Sequence, residues 1–189
     1  GIALRVLKRA DRPTGMATMD IVDGDKKHLH FEGNAMEEIE LSGEDLEFVK
    51  SFDIVYAERW SRIDRYIKEL KQPGQIWVYD FSKRLEQEGN DLILPYLDYA
   101  FFSYDQDDSY IRDFMVKVRK KGTGTVIAMV GEHGSLAYDG DRFYEKEAEQ
   151  VPVVNTVGAG DSYIAAFTYG VSLGESISQC MDRGKKRAT

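Results

Sequence analysis

Hydrophobic and polar positions change their period several times along this chain. Residues 1–7 read as a strand. Residues 15–22 and 27–31 read as two more, and Asp23-Gly24-Asp25 between them is a turn-forming tripeptide, so the pair is predicted as a hairpin with one polar face. Alternation would set His28 and His30 on one side of its second strand, facing solvent or a substrate; a metal pair there would lack a third ligand nearby in sequence. Ser42-Gly43-Glu44-Asp45 has the form of a capping box, followed by Leu46, Val49 and Phe52 on the apolar side of a short helix.

Strand and helix patterns then alternate. Residues 53–57 are predicted as a buried strand, 63–70 as a helix, and 75–81 and 97–103 as strands. Residues 109–121 form an amphipathic helix with Ile111, Phe114, Met115 and Val118 on one face. Gly122 ends it, which makes Gly122-Thr123-Gly124 a turn. The apolar strand 125–130 runs into Gly131-Glu132-His133-Gly134, after which 135–138 and 142–144 flank Asp139-Gly140-Asp141 as a second hairpin. A helical run, 162–167, follows Asn155-Thr156-Val157-Gly158-Ala159-Gly160-Asp161, and residues 185–189 stop inside another helical pattern. Continuous apolar strands alternating with helices predict an α/β fold: a mostly parallel, doubly wound sheet with helices on both faces. Ligands in such sheets sit beyond the carboxyl ends of the strands. Three segments lie there: Asp80 to Arg84, Gly131 to Gly134, and Asn155 to Asp161.

The last of these carries the most chemistry. Small residues opening a helix let backbone N–H groups approach an anion, and the helix dipole adds positive potential there. A carboxylate beside a bound phosphate needs its own task. Asp161 could act as a general base on a hydroxyl attacking a phosphoryl group, with the Gly158, Ala159 and Gly160 amides taking up the developing charge. The plain alternative is a small-residue turn with an aspartate in the first helical turn.

Composition narrows the field. The 189 residues allow one domain with a real core. The net charge of -8 disfavours nonspecific binding to nucleic acid or anionic membranes. A single cysteine, Cys180, excludes an intramolecular disulfide and a Cys-cluster metal site, so a cytoplasmic setting is the expectation. No apolar run reaches the roughly 20 residues that span a bilayer. Both ends read as interrupted elements, which suggests a fragment.

No G-x-x-x-x-G-K-[ST] loop, dinucleotide fingerprint or protein-kinase motif is present. Asn155-Thr156-Val157-Gly158-Ala159-Gly160-Asp161, preceded by a strand and Gly131-Glu132-His133-Gly134, resembles the PfkB, or ribokinase-like, carbohydrate kinase family, whose second signature is [DN]-T-x-G-A-G-D. The resemblance implies transfer of the ATP γ-phosphate to a sugar hydroxyl, with Asp161 as base and Gly158, Ala159 and Gly160 as anion hole. It puts Gly131, Gly134 and Thr156 beside the nucleotide. It makes residues 1–40 part of a small β lid over the sugar, with Met16, Thr18 and His30 as candidate sugar contacts, within one kinase domain over 1–189 that is incomplete at both ends. Asp80-Phe81-Ser82-Lys83-Arg84 resembles the family's D-x-N-x-R segment with Ser82 in place of Asn; Arg84 would meet a phosphate or stand as a solvated surface arginine.

ATP and Mg²⁺ follow as cofactors by this resemblance, and a monovalent cation stays open. The family's N-x-x-E metal-positioning motif has no counterpart near Ser103, where Tyr104-Asp105-Gln106-Asp107-Asp108-Ser109 stands, so the metal residues are unassigned. Asp107 or Asp108 would serve a metal indirectly or simply begin a helix. Met129 stands where many members have threonine. Among the branches, the run Val130 to Gly140 and Asp80-Phe81-Ser82 look most like the fructoselysine (fructosamine) kinases. Open strand edges on the lid leave room for a homodimer. The competing reading is a kinase-like fold that binds nucleotide or a partner without turnover.

Overall fold

Strand formation follows the apolar runs, and their neighbours decide which faces are buried. In this computed structural model, residues 10–22, 25–149 and 156–188 are described, so the strand expected at 1–7 and the loop residue Asn155 lie outside the described residues. The chain contains β1 (Met16–Val22), β2 (Asp25–Glu32), α1 (Gly43–Lys50), β3 (Ile54–Glu58), α2 (Asp64–Leu70), β4 (Ile76–Asp80) and α3 (Asn90–Ile93). Then come β5 (Tyr99–Ser103), α4 (Ser109–Lys120), β6 (Thr125–Met129), β7 (Ser135–Tyr138), β8 (Phe143–Lys146), α5 (Ala159–Ser172) and α6 (Ile177–Ala188).

β1 and β2 form an antiparallel ribbon of their own, and the other strands form one sheet in the order β3-β4-β5-β6-β7-β8. β3 to β6 run parallel, and β7 and β8 turn back as an antiparallel hairpin. Alternate residues of the central strands serve two cores. Trp77, Tyr79, Ala100, Phe102, Val126 and Ala128 pack with Ile67 and Leu70 of α2 and with the predicted apolar face of α4. Val78, Phe101 and Ile127 point the other way, to Tyr163, Ile164 and Phe167 of α5 and Cys180 and Met181 of α6. Burying each such large side chain stabilises the fold by about 1.5–3 kcal/mol.

Local signals act where the sequence put them. Ser42 and Asp45 close the capping box reciprocally, with the Ser42 N–H donating to Asp45 Oδ2 at 2.7 Å. Gly122 takes φ of +111°, its N–H donating to the Arg119 carbonyl. α5 and α6 touch closely: a Cβ on Gly184 would lie 2.7 Å from the Tyr163 ring, whose hydroxyl bonds Ser135 Oγ at 2.8 Å.

Two expectations change. The strand at 53–57 is not buried: β3 is at one edge of the sheet, Ile54 and Val55 are half-buried, and Tyr56 is 45% exposed. The helix expected over 162–167 extends from Ala159 to Ser172, because Gly160 and Gly170 are carried inside it, the latter where a Cβ would crowd Cys180 Sγ at 2.9 Å.

Candidate active site

Three carboxylates reach one region at the carboxyl end of the sheet: Glu58 closes β3, Asp80 closes β4, and Asp161 stands in the first turn of α5. Burial, and then the nearby charge of Asp161, pushes the Asp80 carboxyl up to about 6, against the opposing Ser82 N–H bond at 2.7 Å. Glu58 is raised by burial and by the charges of Asp80 and Asp161. Tyr56 is raised by burial and by the same acidic group. The directions are those expected of one acidic cluster at the carboxyl end of the sheet.

The raised Asp80 carries a stability consequence. Its folded pKa of about 6 lies above the ordinary 3.8, so between these values the folded chain holds the proton and the unfolded chain does not. Stability from this group therefore falls as pH rises through that window. Asp80→Asn keeps an acceptor for the Ser82 N–H and removes the charge. We expect it to stabilise the chain by about 1–3 kcal/mol above pH 6, the gain fading toward about pH 4. Thermal unfolding across pH 4–8 measures this; an unchanged midpoint at pH 8 would refute it.

The loop before Asp161 is built for a close approach. Gly158 takes φ of +81° at the N-cap of α5, a conformation glycine adopts without Cβ strain. The Ala159 N–H donates to Thr156 O at 3.2 Å, and Ser162 N–H to Gly158 O at 2.9 Å. Gly160 and Asp161 lie in the first helical turn, where backbone N–H groups have no intrahelical acceptor. The Ala159 amide is thus engaged within the turn, which leaves Gly158 and Gly160 as the better anion donors of the expected three. Met129, at the end of β6, lies behind this loop, its Cε 3.5 Å from a Cβ built on Gly160. Thr156 and Asp161 are exposed.

Gly131 and Gly134 sit together in the turn after β6, with φ of +59° and +97°. Nothing lies within 4 Å of a Cβ on Gly131, whereas one on Gly134 would meet the Lys146 carbonyl oxygen at 1.9 Å. Gly134 therefore has a packing role of its own beside the expected nucleotide role.

The acidic run after β5 forms a helix start. Asp108 caps α4, accepting the Ile111 N–H at 2.9 Å, and Asp107 receives two bonds from Arg112 at 2.8 and 2.7 Å. Magnesium carried on nucleotide phosphates uses one or two carboxylates plus waters. Asp107 and Asp108 are both engaged, and among the described residues no group of three or more His, Cys, Asp or Glu could hold a metal ion.

The ribbon meets the sheet through aromatic contact. Phe31 of β2 lies 4.3 Å from the Trp60 ring, and the Arg84 guanidinium stands over that ring at 4.5 Å. Such contacts contribute about 0.5–1.5 kcal/mol each. Arg84 also donates to Gln87 Oε1 at 3.1 Å, so it is a half-buried, partnered arginine rather than a freely solvated one.

Pairing places Thr18 opposite His30 and Met16 opposite Glu32, one position out of step with Ala17 and Phe31. Strand alternation thus sets Met16, Thr18 and His30 on the ribbon face opposite Phe31, away from its contact with the sheet. His30 bonds Glu32 at 3.2 Å. The backbone register shifts between Thr18 and Met19, and the expected alignment of the His28 side chain with His30 lies outside what the structure describes.

Glu58, Tyr56 and Trp60 were missed in the sequence. Glu58 stands at a strand's carboxyl end and was open to the same logic as Asp80; Trp60 sits in a polar turn and carries no periodic signal.

Among the described residues, no helix is long and apolar enough to cross a membrane. A family model described as pfkB family carbohydrate kinase matches residues 1–189. Fructoselysine 6-kinase of Shigella flexneri is 34% identical over 171 residues, covering 90% of this chain and 66% of the relative. The fructosamine kinase of Bacillus subtilis (strain 168) is 27% identical over 146 residues, covering 76% and 51%. Arabidopsis thaliana ribokinase, solved with ribose and ATP, superposes with a TM-score of 0.78 at 23% identity over 94% of this chain and 62% of its own, a likeness of fold. The chain spans about two thirds or less of the length of these relatives.

Proposed function

Because the chain belongs to the pfkB family of carbohydrate kinases, we propose that it supplies the phosphoryl-transfer centre of an ATP-dependent sugar kinase acting on a sugar or sugar-amine conjugate of the fructoselysine type. Asp161 takes the proton of the substrate hydroxyl as its oxygen bonds to the γ-phosphorus of ATP. The bond from that phosphorus to the β,γ-bridging oxygen breaks, and ADP leaves. The Gly158 and Gly160 amides at the start of α5 hold the charge on the transferring group. Thr156, Gly131 and Gly134 border the nucleotide.

The observation that carries this reading is the pairing of an exposed carboxylate with a glycine-opened helix start at the carboxyl end of the sheet. The 34% identity to fructoselysine 6-kinase supports the choice of substrate class. ADP release over a panel of fructoselysine, ribose and fructose tests it, with turnover of a sugar-amine conjugate as the expected result. A noncatalytic reading draws on the engagement of both Asp107 and Asp108; ATP binding without turnover of any sugar would select it.

A further inference from the structure

The indole of Trp60 joins three segments at the rim of the site. It lies in the short turn Arg59–Ser61, two residues beyond Glu58. Phe31 comes to it from the ribbon, and Arg84 comes from the segment after Asp80. The turn beneath it is firmly held. Arg59 donates to Asp64 at 2.7 Å, Tyr79 donates its hydroxyl to Asp64 at 2.5 Å, and Ser61 Oγ donates to the Glu58 carbonyl at 2.5 Å. Arg84 is steadied in turn by Asn90, whose amide donates to the Arg84 carbonyl at 2.8 Å.

The ribbon side of the contact is lightly held by comparison. β1 and β2 pair only with each other among the described strands, Phe31 is 42% exposed, and Leu29, two positions along the same strand, is 61% exposed. An anchored indole thus meets an exposed partner whose release would disturb no buried core residue.

Resting on the kinase reading above, we propose that Trp60 is a positioning residue of the sugar site: the latch, backed by Arg84, on which the ribbon seats through Phe31 when substrate is enclosed. Seating the ribbon excludes water and orients the acceptor hydroxyl before Asp161 acts. The latch acts through the ribbon and touches no reacting atom.

Within this chain the other tryptophan, Trp77, is fully buried, so the difference in iodide quenching between the parent protein and its Trp60→Phe variant reports Trp60. In the protein that carries this chain, adding sugar is expected to lower that quenching. Trp60→Ala and Phe31→Ala should each speed hydrogen exchange of the ribbon amides and raise the sugar KM about tenfold, with kcat at saturating sugar changed less than about threefold; Trp60→Phe should restore both. Phe31→Ala leaves the body intact and so guards against a folding defect at Trp60. Unchanged ribbon exchange in both alanine variants, or equal loss in kcat and in kcat/KM, overturns the latch. If the parent protein turns over no sugar, the kinase reading fails, and ribbon exchange alone decides whether Trp60 holds the ribbon.

Discussion

Asp161→Asn is expected to lower sugar-dependent ADP release by about a thousandfold or more, within the range a lost general base produces. The amide has the shape of the carboxylate but cannot take the hydroxyl proton. Backbone donors at Gly158 and Gly160 are untouched, and one negative charge beside the phosphates is removed, so ATP affinity should hold or tighten. A second readout comes from Asp80, whose pKa of about 6 owes part of its elevation to Asp161. In the variant, Asp80 should titrate at lower pH. Isothermal titration with ATP and steady-state kinetics separate the cases: parallel loss of nucleotide binding and turnover, or activity within tenfold of the parent, would count against Asp161 as base.

Gly134→Ala is expected to destabilise the chain by more than about 3 kcal/mol, beyond the usual effect of a single substitution. Its φ of +97° is hostile to a side chain, and the new Cβ would lie 1.9 Å from Lys146 O and 2.7 Å from the Ala148 nitrogen. Neither neighbour is a side chain that can swing away. Relief requires parting the end of β8 from the turn, which also endangers the bond from the Val130 N–H to the Gly134 carbonyl at 2.9 Å. Gly131→Ala is the matched control, since its Cβ meets open space and only the left-handed backbone is penalised, by roughly 1–2 kcal/mol. Urea unfolding of the two variants should rank them clearly, and equal losses would show that the approach of residues 146–148 does not matter.

Much of the fold was legible because its signals are local. The capping box at Ser42 and Asp45, the apolar face of α4 and the glycine stop at Gly122 each depend on residues within a few positions of one another. The run Ile54-Val55-Tyr56-Ala57 was misread as buried because an apolar strand reads alike at the centre and at the edge of a sheet, and only pairing distinguishes them. Within the site, Asp161 announced itself through its glycine-rich approach and Asp80 through its strand. Trp60 did not, since its meaning comes from Phe31 and Arg84, each more than a turn of chain away. The partners of Asp107 and Asp108 were likewise hidden, because the bonds from Arg112 and the Ile111 amide depend on how α4 starts in space.

The strictly sequential strand order bears on how the chain reaches this state. Every strand of the main sheet pairs with the strand before it or after it in the chain, so closing each pair encloses a short loop at a small entropic cost. The sheet can grow in the order in which the ribosome delivers it. α5 and α6 are the exception: they are made after every strand of the sheet and fold back over Val78 of β4 and Phe101 of β5, laid down much earlier. The carboxylate proposed as the base rides on α5, so chemical competence has to wait until this helix, made after the whole sheet, covers the apolar face that the nascent strands leave bare.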